Sequence, residues 1–354
     1  MNSLETPVEP RRSATVWPVV VFMGLALAGI FVAKWSPYFV KAFSVAASHT
    51  LGASMVTGAH RAAPPVGIAA AVSYAEAYVK DIWIAFIVGM VIAAGIESLL
   101  PDGWLVKLMG RANWGAAGVA AAAAVPSMMC TCCSAPIAVS LKRQNVSTGA
   151  VFAYWVGNPV LNPATIVFMG FVLGWNWALL RIVMGVLLVA GAAYIGNRWA
   201  TRAEAAAVAQ QVDVSAPTPT GSRPARFFKA LGRLARTLIP EYLIIVGVLG
   251  AIRAVLFPAM GPALGQSALL FFGLAIAGTL FVIPTAGEIP IVSSLMSYGL
   301  SSMAGGALMM TLPAISLPSM AMVSQAVSKA DLARLAALVL LAGLLTGVAA
   351  HFLL

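Results

Sequence analysis

All three cysteines of the chain fall in one short segment, Cys130-Thr131-Cys132-Cys133-Ser134-Ala135-Pro136. No Asp, Glu, Lys or Arg occurs between Arg111 and Lys142, so this segment sits inside a long apolar run. Thiols, hydroxyls and a helix-interrupting proline are costly to bury at such a depth unless they are put to use. Thiolates prefer soft partners such as As(III), Hg(II) or Cu(I), and thiols spaced C-x-C-C on irregular backbone can share one such ion. A structural zinc site wants four ligands, and no histidine lies near enough in sequence to complete one. His49, His60 and His351 are remote and read as interfacial residues.

A carboxylate is the second candidate. Glu288 is the only charged residue between Arg253 and Lys329. An ionisable group inside a membrane is expensive and is a functional candidate by default, here a carrier of protons. The structural alternative is a carboxylate capping the Ile289-Pro290 helix start. Met128, Met129, Met309 and Met310 flank the same regions, and each is expected to be core packing. Glu97 and Glu241 lie near helix ends, where snorkelling or loop pairing is expected.

The elements that must position these groups are membrane helices. The chain of 354 residues is 61% hydrophobic and 9% charged, against about 25% charged in an average globular protein. Apolar runs recur at lengths that meet the roughly 20 residues a span requires, and no strand alternation rises above them. The expected fold is an all-α polytopic membrane protein. A net charge of +10 could suggest nucleic acid, but the basic residues lie in short loops and a linker, as the positive-inside rule requires. Three cysteines in one apolar segment are not a secreted disulfide framework.

An internal repeat organises the chain. At a shift of 154 residues Pro136 falls on Pro290 and Pro159 on Pro313, and Thr131, Ser140 and Ser147 meet Thr285, Ser294 and Ser301. The division expected is a cytoplasmic tail at 1–16, an N-terminal span and interfacial segment at 17–80, a first transmembrane repeat at 81–197, a basic cytoplasmic linker at 198–236, and a second repeat at 237–354. The first span runs from Trp17 to Ala33, with Lys34-Trp35-Ser36-Pro37 as its interfacial stop. Residues 38–75 read as an interfacial or outward excursion, with a further span at 42–59 as the alternative.

Basic loops fix the path. Lys107 and Arg111 put 101–112 inside, and Lys142-Arg143 put 142–147 inside, so the stretch between them is a re-entrant hairpin with its tip at Cys130–Pro136. A span at 148–175, broken at Asn158-Pro159 and Asn162-Pro163, then crosses outward. The second half repeats this upside down, an inverted repeat like those of many secondary transporters. Four breaks, at 130–136, 158–163, 284–290 and 312–318, then converge near mid-depth. Ser134 before Pro136 and Asn162 before Pro163 resemble helix caps, and helix N-termini suit anionic or polar ligands. The expected substrate-binding residues are Cys130, Thr131, Cys132, Cys133, Ser134, Asn158 and Asn162. Cys130, Cys132 and Cys133 are the metal or metalloid ligands, and Glu288 is the proton-coupling group.

The runs Pro126-Ser-Met-Met-Cys-Thr-Cys-Cys-Ser-Ala-Pro136 and Tyr154-Trp-Val-Gly-Asn-Pro-Val-Leu-Asn-Pro163 resemble a bacterial family of predicted permeases that includes the ArsP-type efflux permeases for trivalent organoarsenicals. The resemblance covers roughly residues 80–354. It implies a gradient-coupled exporter of the inner membrane whose Cys-containing loop, here Cys130, Cys132 and Cys133, binds the arsenical. The crowded C-T-C-C form differs from the simpler spacing of many members. The expected function is therefore a secondary-active permease exporting a soft, thiol-reactive species, with a permease for a small sulfur-containing anion as the alternative. A thiol oxidoreductase is the rival from another class, disfavoured because no second cysteine pair exists to pass electrons on. No enzyme activity, cofactor or nucleic-acid partner is expected. An ATP-driven pump is not expected either, since no Walker-type glycine loop is present. The partners are the bilayer and a small-molecule or metalloid substrate, with homo-oligomerisation left open, and the N-terminus is expected in the cytoplasm.

Overall fold

The structure is a computed structural model that describes residues 16–58, 62–100, 103–199, 222–258 and 265–354. The expected tail, most of the linker, His60 and Arg61 lie outside the described residues. Those described are nearly all helical, with no strand beyond an isolated bridge between Ser54 and Gly58. Seven helical stretches are long and apolar enough to cross a membrane. Their outward faces carry a belt of exposed apolar side chains, among them Leu25, Phe39, Leu187, Ile244 and Leu341. So much bare hydrocarbon is stable only against lipid.

The first stretch departs from expectation. Helices α1 (Val16–Ile30) and α2 (Ser36–Ser48) are joined through a π-helical turn at Phe31–Trp35 into one continuous rod. The helix does not stop at Lys34-Trp35-Ser36-Pro37 but runs on to Ser48. Pro37 cannot donate to the turn before it, and the wider π turn, with the Ser36 N–H donating to the Phe31 carbonyl, accommodates that gap so the rod continues. Lys34 is only 3% exposed because the π turn aims it into the protein rather than at a lipid headgroup.

The remaining helices follow a duplicated order. They are α3 (Ile68–Ser98), the short α4 (Trp104–Met109), α5 (Trp114–Ser127), α6 (Thr131–Arg143), α7 (Thr148–Val160), α8 (Pro163–Val172) and α9 (Trp175–Arg198). Then come α10 (Arg223–Ala251), α11 (Ala268–Leu280), α12 (Glu288–Ser297), α13 (Ser302–Ala314), α14 (Leu317–Val323) and α15 (Lys329–Leu353). The 154-residue shift carries α7 onto α13 at both ends, since 148 + 154 = 302 and 160 + 154 = 314. It also carries Ser147, which caps α7 through the Ala150 N–H, onto Ser301, which caps α13 through the Ala304 N–H. The packing repeats too: α7 lies on α9 as α13 lies on α15, and α5 on α7 as α11 on α13.

Helices α3 and α10 are the first of each set and pack along one another. Both carry charge on the side of their apolar stretch nearer the N-terminus: Glu76, Lys80 and Asp81 in α3, and Arg226, Lys229, Arg233 and Arg236 in α10. At 1.5 Å per residue such helices overrun the roughly 30 Å hydrocarbon layer. Glu97, expected to pair near a helix end, does so: it accepts from Ser140 and Arg143 on α6 and from Arg233 on α10. Each short-helix excursion returns to where it began. The Ser147 N–H donates to the Met109 carbonyl at 2.9 Å, and the Ser301 N–H donates to the Gly265 carbonyl at 3.1 Å. Helices α5, α6, α11 and α12 are too short to span, which fits a hairpin that enters and leaves on one side.

Candidate functional site: a chamber between four helix breaks

Helical backbone is interrupted at 128–130, 161–162, 281–287 and 315–316. Residues from these interruptions and the helix ends beside them meet around one small enclosed cavity, lined by Cys130, Thr131, Pro159, Thr165, Ile283–Ala286, Glu288 and Pro313. It holds about 10 Å³ of space for a water centre, the room of one water molecule. Sulfur from the first half and a carboxylate from the second thus share one wall-to-wall space. The breaks place the N-termini of α6, α8, α12 and α14 in this region, each bringing the partial positive charge of a helix start.

The first tip is built by local hydrogen bonding. Met128 takes a left-handed conformation, φ 49°, which costs a non-glycine residue about 1–2 kcal/mol, and the chain turns sharply into α6. Asn158 holds the turn: its Oδ1 accepts from the Ser127 hydroxyl and, at 3.3 Å, from the Met129 N–H, while its amide donates to the Tyr154 carbonyl. Trp155 Nε1 donates to the Thr131 carbonyl at 3.0 Å. The cap of α6 is Cys130 rather than Ser134, because Cys130 has extended backbone and its Sγ accepts from the Cys133 N–H at 3.4 Å. Ser134 lies within the first turn and turns its hydroxyl back onto the Cys130 and Thr131 carbonyls. Asn162 is the cap expected for α8, accepting from the Ala164 and Thr165 N–H groups.

The cysteines divide. Cys130 and Cys133 are free thiols with sulfurs 2.6 Å apart. Cys132 faces the Ser316 hydroxyl at 3.6 Å, beside Tyr78 and Tyr242. The residues at i and i+3 of a helix share a face and the one between them does not, so the expected three-thiol ligand set is not assembled. Among the described residues no group of three or more His, Cys, Asp or Glu is disposed to hold a metal ion. Of the expected binding residues, Cys130 and Thr131 line the cavity with Glu288, whereas Asn158, Asn162 and Ser134 hold backbone in place.

Two charged residues complete the site. Arg181 on α9 is fully buried and donates to Glu288 Oε1 at 3.1 Å. It also donates to the Val160 and Pro159 carbonyls, freed by the break between α7 and α8, and to the Met309 carbonyl of α13. One guanidinium therefore ties the broken helices of both halves. Lys34 donates to Thr285 Oγ1 at 3.0 Å and to the Tyr38 hydroxyl at 3.3 Å, with Cys130 and Cys133 nearby. Its neighbour Trp35 donates to the Pro126 carbonyl at 2.8 Å, so the N-terminal rod touches both tips. Neither residue was singled out from the sequence. The signal existed for Arg181, the only charged residue between Arg143 and Arg198, under the rule that marked Glu288.

Gly89 of α3 controls how closely this site can pack. A Cβ there would lie 2.3 Å from the Cys133 carbonyl oxygen, a backbone atom. Gly89→Ala is expected to push α6 away, cost about 1–3 kcal/mol as an overpacked core does, and lower transport. Thermal unfolding of the detergent-purified variant alongside vesicle flux checks both; wild-type behaviour in each would show that the tip has room to move.

Seven candidate spans among the described residues, and a buried polar chamber where broken helices meet, are the architecture of a helical membrane protein with an interior site. The chain belongs to the ArsP_1 family, described as predicted permease, whose model matches residues 82–352. It is 39% identical over 331 residues, 94% of each chain, to UPF0718 protein YraQ of Escherichia coli strain K12. No solved structure matches it.

Proposed function

We propose that this protein is a secondary-active permease of the bacterial inner membrane that exports a small, soft, thiol-reactive species, with trivalent organoarsenicals as the leading substrate. The single observation that carries this reading is the cavity that Cys130 and Glu288 both line among the four helix breaks. Interrupted backbone is tolerated at membrane depth where it is buried in protein or lines a cavity, and transporter sites are built this way. Two adjacent thiols suit a mono-organo arsenic(III) centre: each replaces one hydroxyl ligand, forming an As–S bond and releasing one water. Glu288 is the proton-coupling carboxylate, with Oε1 held by Arg181 and Oε2 left without a partner.

The path of the chain supports an inverted repeat. The tied ends at Met109/Ser147 and Gly265/Ser301 make each short-helix pair return to its own side. An odd number of crossings separates them, so the hairpins enter from opposite faces. Lys107, Arg111, Lys142, Arg143 and Lys329 then share the side of the basic 198–236 segment, which the positive-inside rule makes cytoplasmic, and the N-terminus with it.

Flux into everted vesicles and proteoliposomes, over a panel of trivalent arsenicals, Hg(II) and sulfur oxyanions, tests the reading. Uptake of an arsenical that needs Cys130 and Glu288 and a proton gradient is expected. Gradient-independent flux, or none for any soft species, would overturn it.

A further inference from the structure

The charges around the chamber do not balance. Arg181 is paired with Glu288, but Lys34, equally buried, has no carboxylate partner among the described residues, only hydroxyls and the nearby thiols. A buried cation of this kind is costly unless an anion joins it. Two further atoms are unsatisfied at the same place. Glu288 Oε2 and Thr165 Oγ1 are both buried, both belong to residues lining the cavity, and neither has a hydrogen-bond partner among the described residues. A carboxylate oxygen can only accept, so Glu288 Oε2 calls for an O–H donor on whatever fills the space. A threonine hydroxyl can donate or accept.

We infer that the chamber recognises the oxygen shell of its substrate as well as its soft centre: the ligand is a singly charged, protonated oxyanion of a soft element. Its hydroxyl donates to Glu288 Oε2, its anionic oxygen faces Lys34 and Thr285, and its central atom lies against Cys130. One negative charge on the ligand brings the group of Lys34, Arg181, Glu288 and ligand to neutrality. A dianion would leave an excess negative charge, and an unprotonated oxyanion would set oxygen against oxygen at Glu288. This inference rests on the permease reading and adds to the neutral arsenical bound by the thiols a second substrate class, hydroxyl-bearing monoanions held through Lys34 and Glu288, which include the singly deprotonated form of a trivalent arsenic oxoacid. The cavity is closed to anything larger than water in this conformation, so loading requires the tips to part. The backbone at 128–130 and 281–284 is outside any helix and free of the helical ladder that would resist this.

The test uses full-length protein in lipid nanodiscs with three probes: hydrogen sulfite at mildly acidic pH, sulfate, and neutral phenylarsine oxide, titrated calorimetrically. Hydrogen sulfite is expected to bind and sulfate not. Lys34→Met should weaken hydrogen sulfite about tenfold or more, the loss of one hydrogen bond to a charged group, and Lys34→Arg should recover most of it. Thr165→Val keeps the side-chain shape and breaks no existing bond, so it should fold as stably as the wild type while weakening hydrogen sulfite. Phenylarsine oxide binding should change little in all three variants. Equal binding of sulfate, or hydrogen sulfite affinity indifferent to Lys34 and Thr165, would overturn the inference while leaving the thiol site standing. Phenylarsine oxide that binds without depending on Cys130 would instead remove the thiol-site reading of the substrate, and hydrogen sulfite binding would still decide this inference.

Discussion

Arg181→Met is expected to be the most destabilising single change in the chain. It removes the one ion-pair partner that a fully buried carboxylate has among the described residues, and breaking a buried ion pair from one side costs about 3–5 kcal/mol. It also strips hydrogen bonds from the buried Pro159, Val160 and Met309 carbonyls. The decisive variant is the double one. Replacing both partners of a buried pair by apolar residues is often neutral or stabilising, so Arg181→Met combined with Glu288→Leu should recover most of the lost stability. It should recover none of the transport if Glu288 is the coupling carboxylate proposed above. Thermal unfolding in detergent and vesicle flux, measured across wild type, both single variants and the double, separate the two roles. A double variant as unstable as Arg181→Met would show that the carbonyl contacts, not the ion pair, are what the arginine contributes.

The second large effect concerns the thiols and is asymmetric. Cys130→Ser or Cys133→Ser is expected to reduce flux of a trivalent arsenical by more than about a hundredfold, since loss of outer-shell partners alone costs 10–100-fold at thiolate and imidazole sites. Cys132→Ser should change it little, because that sulfur faces Ser316, Tyr78 and Tyr242 rather than the other two. Serine is close to cysteine in size, so folding is not expected to confuse the result. Equal loss in all three variants would mean that Cys132 swings round to join the pair during transport, and the two-thiol site would have to be abandoned.

Much of the scaffold was legible before any coordinates. Hydropathy located the spans because a membrane helix must be apolar over most of its length whatever it packs against. The duplication was legible because prolines and capping serines break helices locally: Pro159 and Pro313, or Ser147 and Ser301, mark the same event in each half. Asn162 was readable as a cap for the same reason. The errors have equally local causes. Lys34 followed by Trp35 and Pro37 has the composition of a helix end at the membrane surface, and only the π turn and its contacts with Thr285 and Pro126 make it an interior residue. Ser134 has the type of a helix cap, but the helix starts earlier and Cys130 takes the role through sulfur.

Sequence alone determined that this is a helical membrane protein and that its two halves keep one register at 154 residues. Those properties follow from composition and from residues acting on their own few neighbours. Sequence put the first and third breaks at 130–136 and 284–290, whereas the helices begin at Thr131 and Glu288 and the open backbone lies at 128–130 and 281–287. The tertiary structure decided which polar groups meet: Arg181 with Glu288, Lys34 with Thr285, Cys130 with Cys133 but not with Cys132. Partners so far apart in the chain are chosen by the faces that helices turn toward one another. That choice is made by packing of the whole bundle, including a Gly89 just small enough to admit the Cys133 carbonyl.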